Sequence, residues 1–379
     1  MAHTEAIEAI EVNKTVLEKR NYELNFFKLV FAVFVFFTHT NIFIGENTRF
    51  QLPLMIGPIS VHFFFIVSGM LMAKSILREK NSVSDSGKRA ITFVLGKYKA
   101  LAAQCWTSVF MILSIYIYIY IYTSTDQARK ISLMLAKIFP ELFLVSSSGP
   151  DFRLNITWYI SSMLLCMLPL SYILYKKRDF TLYIFSPLAA LLLLGYIARS
   201  NSYHFIDHST MYGVVMGGLI RGMCGLCFGI VAYLICEKIK KLNPNKNLRI
   251  VFTILEIGLW TIFFVVWFVL GDPVALFSVL LILPIAIAIS FSETSYISKI
   301  FTQKWMRCFN FLSLTIYLNH FGPRILVNYM FPGQSYKFCV GMMAIFTVVA
   351  CLINYAIVRL LKLLWENKLK NIFTKPDIL

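Results

Sequence analysis

Charge is scarce in this sequence. Asp, Glu, Lys and Arg make up 15% of its 379 residues, against about 25% in soluble domains. What charge there is leans one way, with 36 Lys and Arg against 19 Asp and Glu. The resulting net charge of +17 does not suggest a nucleic-acid binder, because no basic patch sits in a soluble module. Several motifs are missing too: EF-hand, P-loop, dinucleotide fingerprint and internal repeat. GPISVHFFFIVSGM lacks both the glycine spacing and the soluble βαβ setting that a dinucleotide site needs. The eight Cys show no convincing metal spacing, and Cys224 and Cys227, a CxxC flanked by glycine, read as small packing residues. Residues 1–20 are polar, with four Glu, and do not resemble a signal peptide, so the first apolar stretch is expected to stay as a membrane anchor.

Apolar surface dominates what remains. Hydrophobic residues are 58% of the chain, with 34 Phe and 19 Tyr, and mean hydropathy is +0.70. The fold expected is all-α, a polytopic transmembrane bundle, since a bilayer core needs about 20 apolar residues per helix. About ten spans are read, at 24–44, 54–74, 98–122, 157–175, 181–198, 212–236, 250–270, 273–290, 311–329 and 338–358. Three parts follow: a polar N-terminal segment 1–20, a membrane domain 21–360 and a basic tail 361–379. Placing the N-terminus inside puts Lys74, Arg78, Lys80, Lys88 and Arg89, then Lys176 to Arg178, then Lys238, Lys240, Lys241, Lys246 and Arg249, then Lys299, Lys304 and Arg307 in cytoplasmic loops. Arg359, Lys362, Lys368, Lys370 and Lys375 join them in the tail. The outer loops are poorer, with Arg49, Arg129, Lys130, Arg153 and Arg199 as their main basic residues. That bias predicts both termini in the cytoplasm.

Two segments resist a simple helix reading. Ile115–Tyr122, IYIYIYIY, alternates like a strand, but an isolated strand in lipid leaves its backbone unpaired, so it is assigned to the outer end of the third helix. Residues 131–147, broken by Pro140 and charged at Lys137 and Glu141, read as an interfacial helix, with a lid or re-entrant segment as the alternative.

Ionisable groups inside apolar spans are functional candidates. In KLVFAVFVFFTH, Lys28 and His39 lie eleven positions apart, which is about 16 Å and three helical turns plus roughly 20°. They therefore share a face, with Lys28 near the cytoplasmic end and His39 near the outer end; Asn25 lies one turn before Lys28. The plain alternative for Lys28 is snorkelling to the inner headgroups, and for His39 a hydrogen bond to a neighbouring helix. Other polar groups are His62 and Ser68 in the second span, Arg221 among glycines in the sixth, and Tyr317, Asn319, His320 and Arg324 in the ninth. His204, Asp207 and His208 fall in an outer loop. His204 and His208 would ligate a metal only if that loop were helical, and no third ligand is evident, so no metal is expected.

These motifs resemble the integral-membrane acyltransferase-3 family. ELNFFKLVFAVFVFFTHT is similar to its first-helix motif, a basic residue, ten residues, then His. VHFFFIVSGMLMAKS is similar to its second, with Phe64, Phe65, Ser68 and Gly69. TWYISSMLL, with Trp158, and SLTIYLNHF resemble later spans, and RGMCG from Arg221 matches more loosely. The sequence departs from the family at Asn25, where an acid is usual, and at FVLGKYKALAA, where Lys97 and Lys99 stand in place of an arginine pair and lose its fixed fork.

The resemblance implies transfer of an acyl group, acetyl in the first instance, from a cytoplasmic acyl-CoA donor to a hydroxyl of a cell-surface or lipid-linked glycan. His39, Lys28, Arg221 and His320 would then be catalytic, with His39 as general base or acyl carrier. Lys28, Lys97 and Lys99 would meet the donor. Asn25, His62, Ser68, Trp158, Tyr317 and Asn319 would line the acceptor side. Membrane lipid and the glycan are the partners expected, self-association is compatible with the apolar surface, and nucleic acid is not expected. The alternative from another class is a transporter or exporter of a polysaccharide or acylated small molecule.

Overall fold

In the computed structural model the described residues are 22–44, 56–79, 85–123, 126–149, 154 and 157–373, with side chains described as far as 364. The N-terminal segment 1–20, Arg49, Lys80, Arg153 and the tail lysines Lys368, Lys370 and Lys375 lie outside those residues or side chains. The elements are α1 (Tyr22–Thr38), continued by a 3₁₀ turn His39–Phe43, α2 (Ile56–Arg78), α3 (Ser86–Thr123), α4 (Gln127–Leu142), α5 (Trp158–Lys176), α6 (Arg178–Ser200), a hairpin of β1 (Met211–Tyr212) and β2 (Val215–Met216), α7 (Gly217–Lys241), α8 (Lys246–Leu270), α9 (Pro273–Ser292), α10 (Cys308–Asn319), α11 (Phe321–Met330) and α12 (Tyr336–Phe373).

Nine helices among the described residues are long and apolar enough to cross a membrane, and the protein is a multi-pass integral membrane protein. The tenth expected span, 311–329, is instead two short helices, α10 and α11, meeting at His320. Pro323 is the cause. It has no N–H for the Asn319 carbonyl four residues back, and its ring crowds that carbonyl, so the helix kinks there. Ile115–Tyr122 is helical, as the C-terminal part of α3. The 131–147 segment is mostly α4, which packs on α3 and exposes Leu133, Leu135 and Phe139.

α2 is the axis of the bundle, and it packs most extensively on α7. A Cβ on Gly229 would stand 2.1 Å from the Ile66 carbonyl oxygen, and one on Gly69 would stand 2.2 Å from that of Leu226. Only glycine at both points lets the two backbones approach so closely. Behind α2, Phe31 of α1 stacks on Phe63 at 4.0 Å and Phe27 on Trp260 of α8 at 4.0 Å. Outward faces stay apolar, as at Leu191, Leu192, Val269, Leu352 and Leu361. Such exposure in a helix bundle suits lipid, where the backbone must be satisfied within each helix.

α1 and α10 lie side by side. Lys28 Nζ donates to Asn310 Oδ1 at 2.9 Å, while the His39 and His320 rings are 4.8 Å apart. The two contacts join early residues to early and late to late, so these helices run parallel.

Candidate active site

A cavity of about 340 Å³ opens where α1, α2, α5, α7 and the α10–α11 kink converge. His39 reaches it because α1 tightens into a 3₁₀ turn at that residue. Thr38 and Val35 of α1, Gly57, Pro58 and Val61 of α2, and Tyr317, His320, Phe321 and Arg324 of the kinked pair complete one side. Trp158, His208 and Arg221 form the other.

Each wall has a local cause. The kink at Pro323 turns His320 and Arg324, four residues apart, toward α1. His320 Nδ1 lies 3.0 Å from the Ile316 carbonyl oxygen. A carbonyl only accepts, so Nδ1 carries the hydrogen and Nε2 the lone pair. That Nε2 is buried and has no hydrogen-bond partner among the described residues. Arg324 Nη1 lies 3.3 Å from His39 Nδ1, and a guanidinium only donates, so the His39 lone pair sits on Nδ1 and its hydrogen on Nε2.

On the far wall, Arg221 donates to the Pro58 carbonyl at 3.2 Å, with its guanidinium 5.1 Å from the Trp158 ring and 5.1 Å from the Phe205 ring. His208 stacks on Trp158 at 4.3 Å. The loop carrying His208 is tied to the start of α7, because Gly217 N donates to the Thr210 carbonyl and Gly218 N to the His208 carbonyl. Asp207 lies 3.1 Å from His208 Nδ1. The hydrogen bond from His208, followed by those from Ser209, holds the Asp207 carboxyl below the usual carboxylate range.

Trp158 is set by a second device. The Glu141 carboxylate is fully buried and accepts from Leu154 N at 2.8 Å, Thr157 N at 3.1 Å and the Thr157 hydroxyl. It thereby fixes the turn into α5 from the end of α4. In the sequence Glu141 shows only as a charge interrupting an apolar segment.

The remaining candidates divide by depth. Lys28 sits at the opposite end of α1 from His39, and the charge of Lys97 is within electrostatic reach of it. Lys97 is half-buried over the Phe93 ring at 5.3 Å. Lys99 is exposed, as expected for a residue about 200° further round the helix. Asn25 is half-buried on α1, and the amide that meets Lys28 is Asn310, on another helix. Ser68 is midway, with its hydroxyl 3.0 Å from that of Tyr159, whose ring is 5.5 Å from Tyr317. Ser68 and Tyr159 thus adjoin Tyr317, which lines the cavity.

Two candidates face elsewhere. His62 is buried behind the cavity wall between Phe205 and Phe228. Asn319 accepts from Ser108 at 2.9 Å, and Asn354 donates to the same Ser108 at 3.0 Å, so Asn319 ties α10 to α3 and α12. Among the described residues no three His, Cys, Asp or Glu side chains converge on a metal position.

The sequence assigns no role to Arg324 or Asn310, and to His208 only that of a metal ligand with His204 if their segment were helical; that segment is a non-helical loop. Arg324 had a signal, since it follows His320 by one helical turn in the same span. His208 had none, because its place depends on a loop folding back over Trp158.

No curated protein and no solved structure matches this chain. The model of the acyltransferase-3 family, described as an acyltransferase domain, matches residues 21–360, which takes in every element that builds the cavity and nearly all of the bundle. The chain therefore belongs to the acyltransferase-3 family and is a membrane-bound acyltransferase.

Proposed function

We propose that this enzyme transfers an acyl group, acetyl in the first instance, from a cytoplasmic acyl-CoA to a hydroxyl of a cell-surface or lipid-linked glycan, with His39 as the base or acyl carrier. The observation that carries the reading is the pair of imidazoles 4.8 Å apart on a cavity of about 340 Å³, at the far end of the helix that carries Lys28 in its first half. Family membership supplies acyl transfer and an acyl-CoA type of donor. The excess of Lys and Arg in alternate loops favours a cytoplasmic Lys28 end of α1, the side on which an acyl-CoA is found.

The donor end fits an anionic thioester carrier. Lys28 is bonded to a neutral amide, Asn310, so its charge is left to act on phosphate, and Lys97 adds a second cation. At the other end the chemistry needs a base. The acceptor oxygen bonds to the thioester carbonyl carbon as its proton passes to the His39 lone pair. The C–S bond then breaks, and the thiolate leaves with that proton. The His320 ring lies 4.8 Å from that of His39, and its lone pair on Nε2 is electron-rich density beside the positive charge that develops on His39. In the acyl-carrier variant the His39 lone pair attacks the thioester carbon and the C–S bond breaks with loss of thiolate. The hydroxyl oxygen then attacks the acyl carbon, the C–N bond breaks, and the hydroxyl proton passes to the freed imidazole and on to the thiolate.

The test is transfer by the full chain in nanodiscs, with acetyl-CoA and a glycan acceptor and product read by mass spectrometry. His39→Gln should reduce transfer by about 10²–10⁴-fold, the usual worth of a positioned base, at unchanged protein level. Wild-type rates in His39→Gln would overturn the assignment. A second reading, with His320 as base, rests on its unpartnered Nε2; loss of transfer confined to His320→Gln would select it. Acceptor flux without thioester loss would instead favour a transporter.

A further inference from the structure

The charge of the cavity points to its ligand. Arg221 and Arg324 both line it, with His39, His208 and His320, and no acidic side chain among the described residues does. Neither arginine meets a carboxylate at ion-pair distance among those residues. The Nε of each is buried without a hydrogen-bond partner there, and Arg221 as a whole is 4% exposed. Asp207, whose charge reaches Arg221, is already engaged by His208 and by Ser209 N at 2.8 Å. A buried guanidinium without a counter-charge is costly, and two around one cavity call for an anion.

The two arginines are held differently. Arg221 is fixed by Pro58 and by two aromatic faces. Arg324 is half-buried, lies 5.1 Å from the Phe321 ring and, among the described residues, its side chain makes one hydrogen bond, at 3.3 Å to His39 Nδ1. A cation over a ring has little directional demand, so this guanidinium can turn. Where it now stands, it covers the lone pair that a base or nucleophile must use.

We propose that the cavity takes an acceptor carrying an oxyanion, a carboxylate or a phosphate, and that Arg324 reads it: the guanidinium turns from His39 Nδ1 to the oxyanion and uncovers the lone pair only when a charged acceptor is seated. Both oxyanions match the planar fork of arginine. This rests on the reading of His39 as the reactive imidazole. It makes Arg324 a positioning residue for His39 and a specificity residue for the acceptor, and it protects the thioester from water while the cavity is empty.

Full-length protein in nanodiscs, with ¹⁵N-labelled histidine, tests the resting state and the response together; the His39 signals are assigned by their loss in His39→Gln. The resting protein should show His39 unprotonated at Nδ1. Glucuronate or glucose 1-phosphate should shift that nitrogen, and glucose should not. A response to glucuronate alone identifies a carboxylate acceptor; a response to glucose 1-phosphate alone identifies a phosphate. Arg324→Gln should abolish the response to both and Arg324→Lys should weaken it. In transfer assays, Arg324→Gln should lower the preference for charged over neutral acceptors by roughly tenfold to a hundredfold, the worth of a charge-assisted contact, and raise acetyl-CoA hydrolysis without acceptor. A resting His39 protonated at Nδ1, an equal response to glucose, or a full response in Arg324→Gln would overturn the proposal. Normal transfer by His39→Gln would overturn the base assignment alone, since the nitrogen shifts would still report whether Arg324 yields to an anion.

Discussion

Replacing Glu141 by Gln should destabilise the enzyme and disturb its acceptor side, although Glu141 itself does not line the cavity. The carboxylate has no exposed surface and receives Leu154 N, Thr157 N and the Thr157 hydroxyl. Gln keeps one carbonyl oxygen and turns an NH₂ toward donors. At least one backbone N–H loses its acceptor, and those that remain lose their charge assistance. A hydrogen bond to a charged group contributes about 1.5–3 kcal/mol, and an orphaned buried donor costs about 1–3 kcal/mol. A loss of about 2–4 kcal/mol follows. At roughly 2 °C per kcal/mol for a large chain, the apparent melting temperature should fall by about 4–8 °C. Glu141→Ala removes both acceptor oxygens and should fall further. The assay is thermal-stability size-exclusion chromatography in detergent at one fixed heating time, because membrane proteins seldom unfold reversibly. Trp158 follows Thr157 directly, so acceptor KM should rise more than donor KM in the same variant. A Glu141→Gln protein that matches wild type in melting and in both KM values would refute the claim that this carboxylate organises the turn into α5.

Four further outcomes are expected. Gly229→Ala should prevent accumulation of folded protein, since its Cβ would meet the Ile66 carbonyl oxygen at 2.1 Å; Gly258→Ala, with nothing within 4 Å of its Cβ, should express and melt like wild type. Lys28→Met and Lys97→Met should each raise donor KM, while Lys99→Met, exposed on another face, should not; equal effects of all three would reduce the lysines to general surface charge. Ser68→Ala and Tyr159→Phe, joined by a 3.0 Å hydrogen bond, should show a coupling of about 1 kcal/mol in a double-mutant stability cycle, and strict additivity would count against the bond. Asp207 has a folded-state pKa held below the ordinary carboxylate value by His208. Its stabilising contribution is therefore complete above that ordinary value and is lost as pH falls through and below it. Asp207→Asn should lower stability at neutral pH and flatten the acid limb of the stability curve below about pH 4, so that the variant and wild type converge in acid.

The sequence alone determined the membrane architecture. Apolar runs of bilayer length and a scarcity of charge leave few alternatives to a helical bundle, because backbone groups in lipid must be paired within a segment. Periodicity also placed Lys28 and His39 on one face, since a helix fixes rotation from spacing. Only the tertiary structure decided what those faces meet. Asn310 rather than Asn25 serves Lys28, because the partner comes from a helix nearly three hundred positions away that packs parallel to α1. His62 and Asn319 sit in spans rich in polar groups, yet each turns away from the cavity, and neighbour packing alone sets that direction. Arg324 and His208 reach His39 and Trp158 through a proline kink and a folded-back loop. Both are long-range contacts, and spacing along one chain carries no record of them.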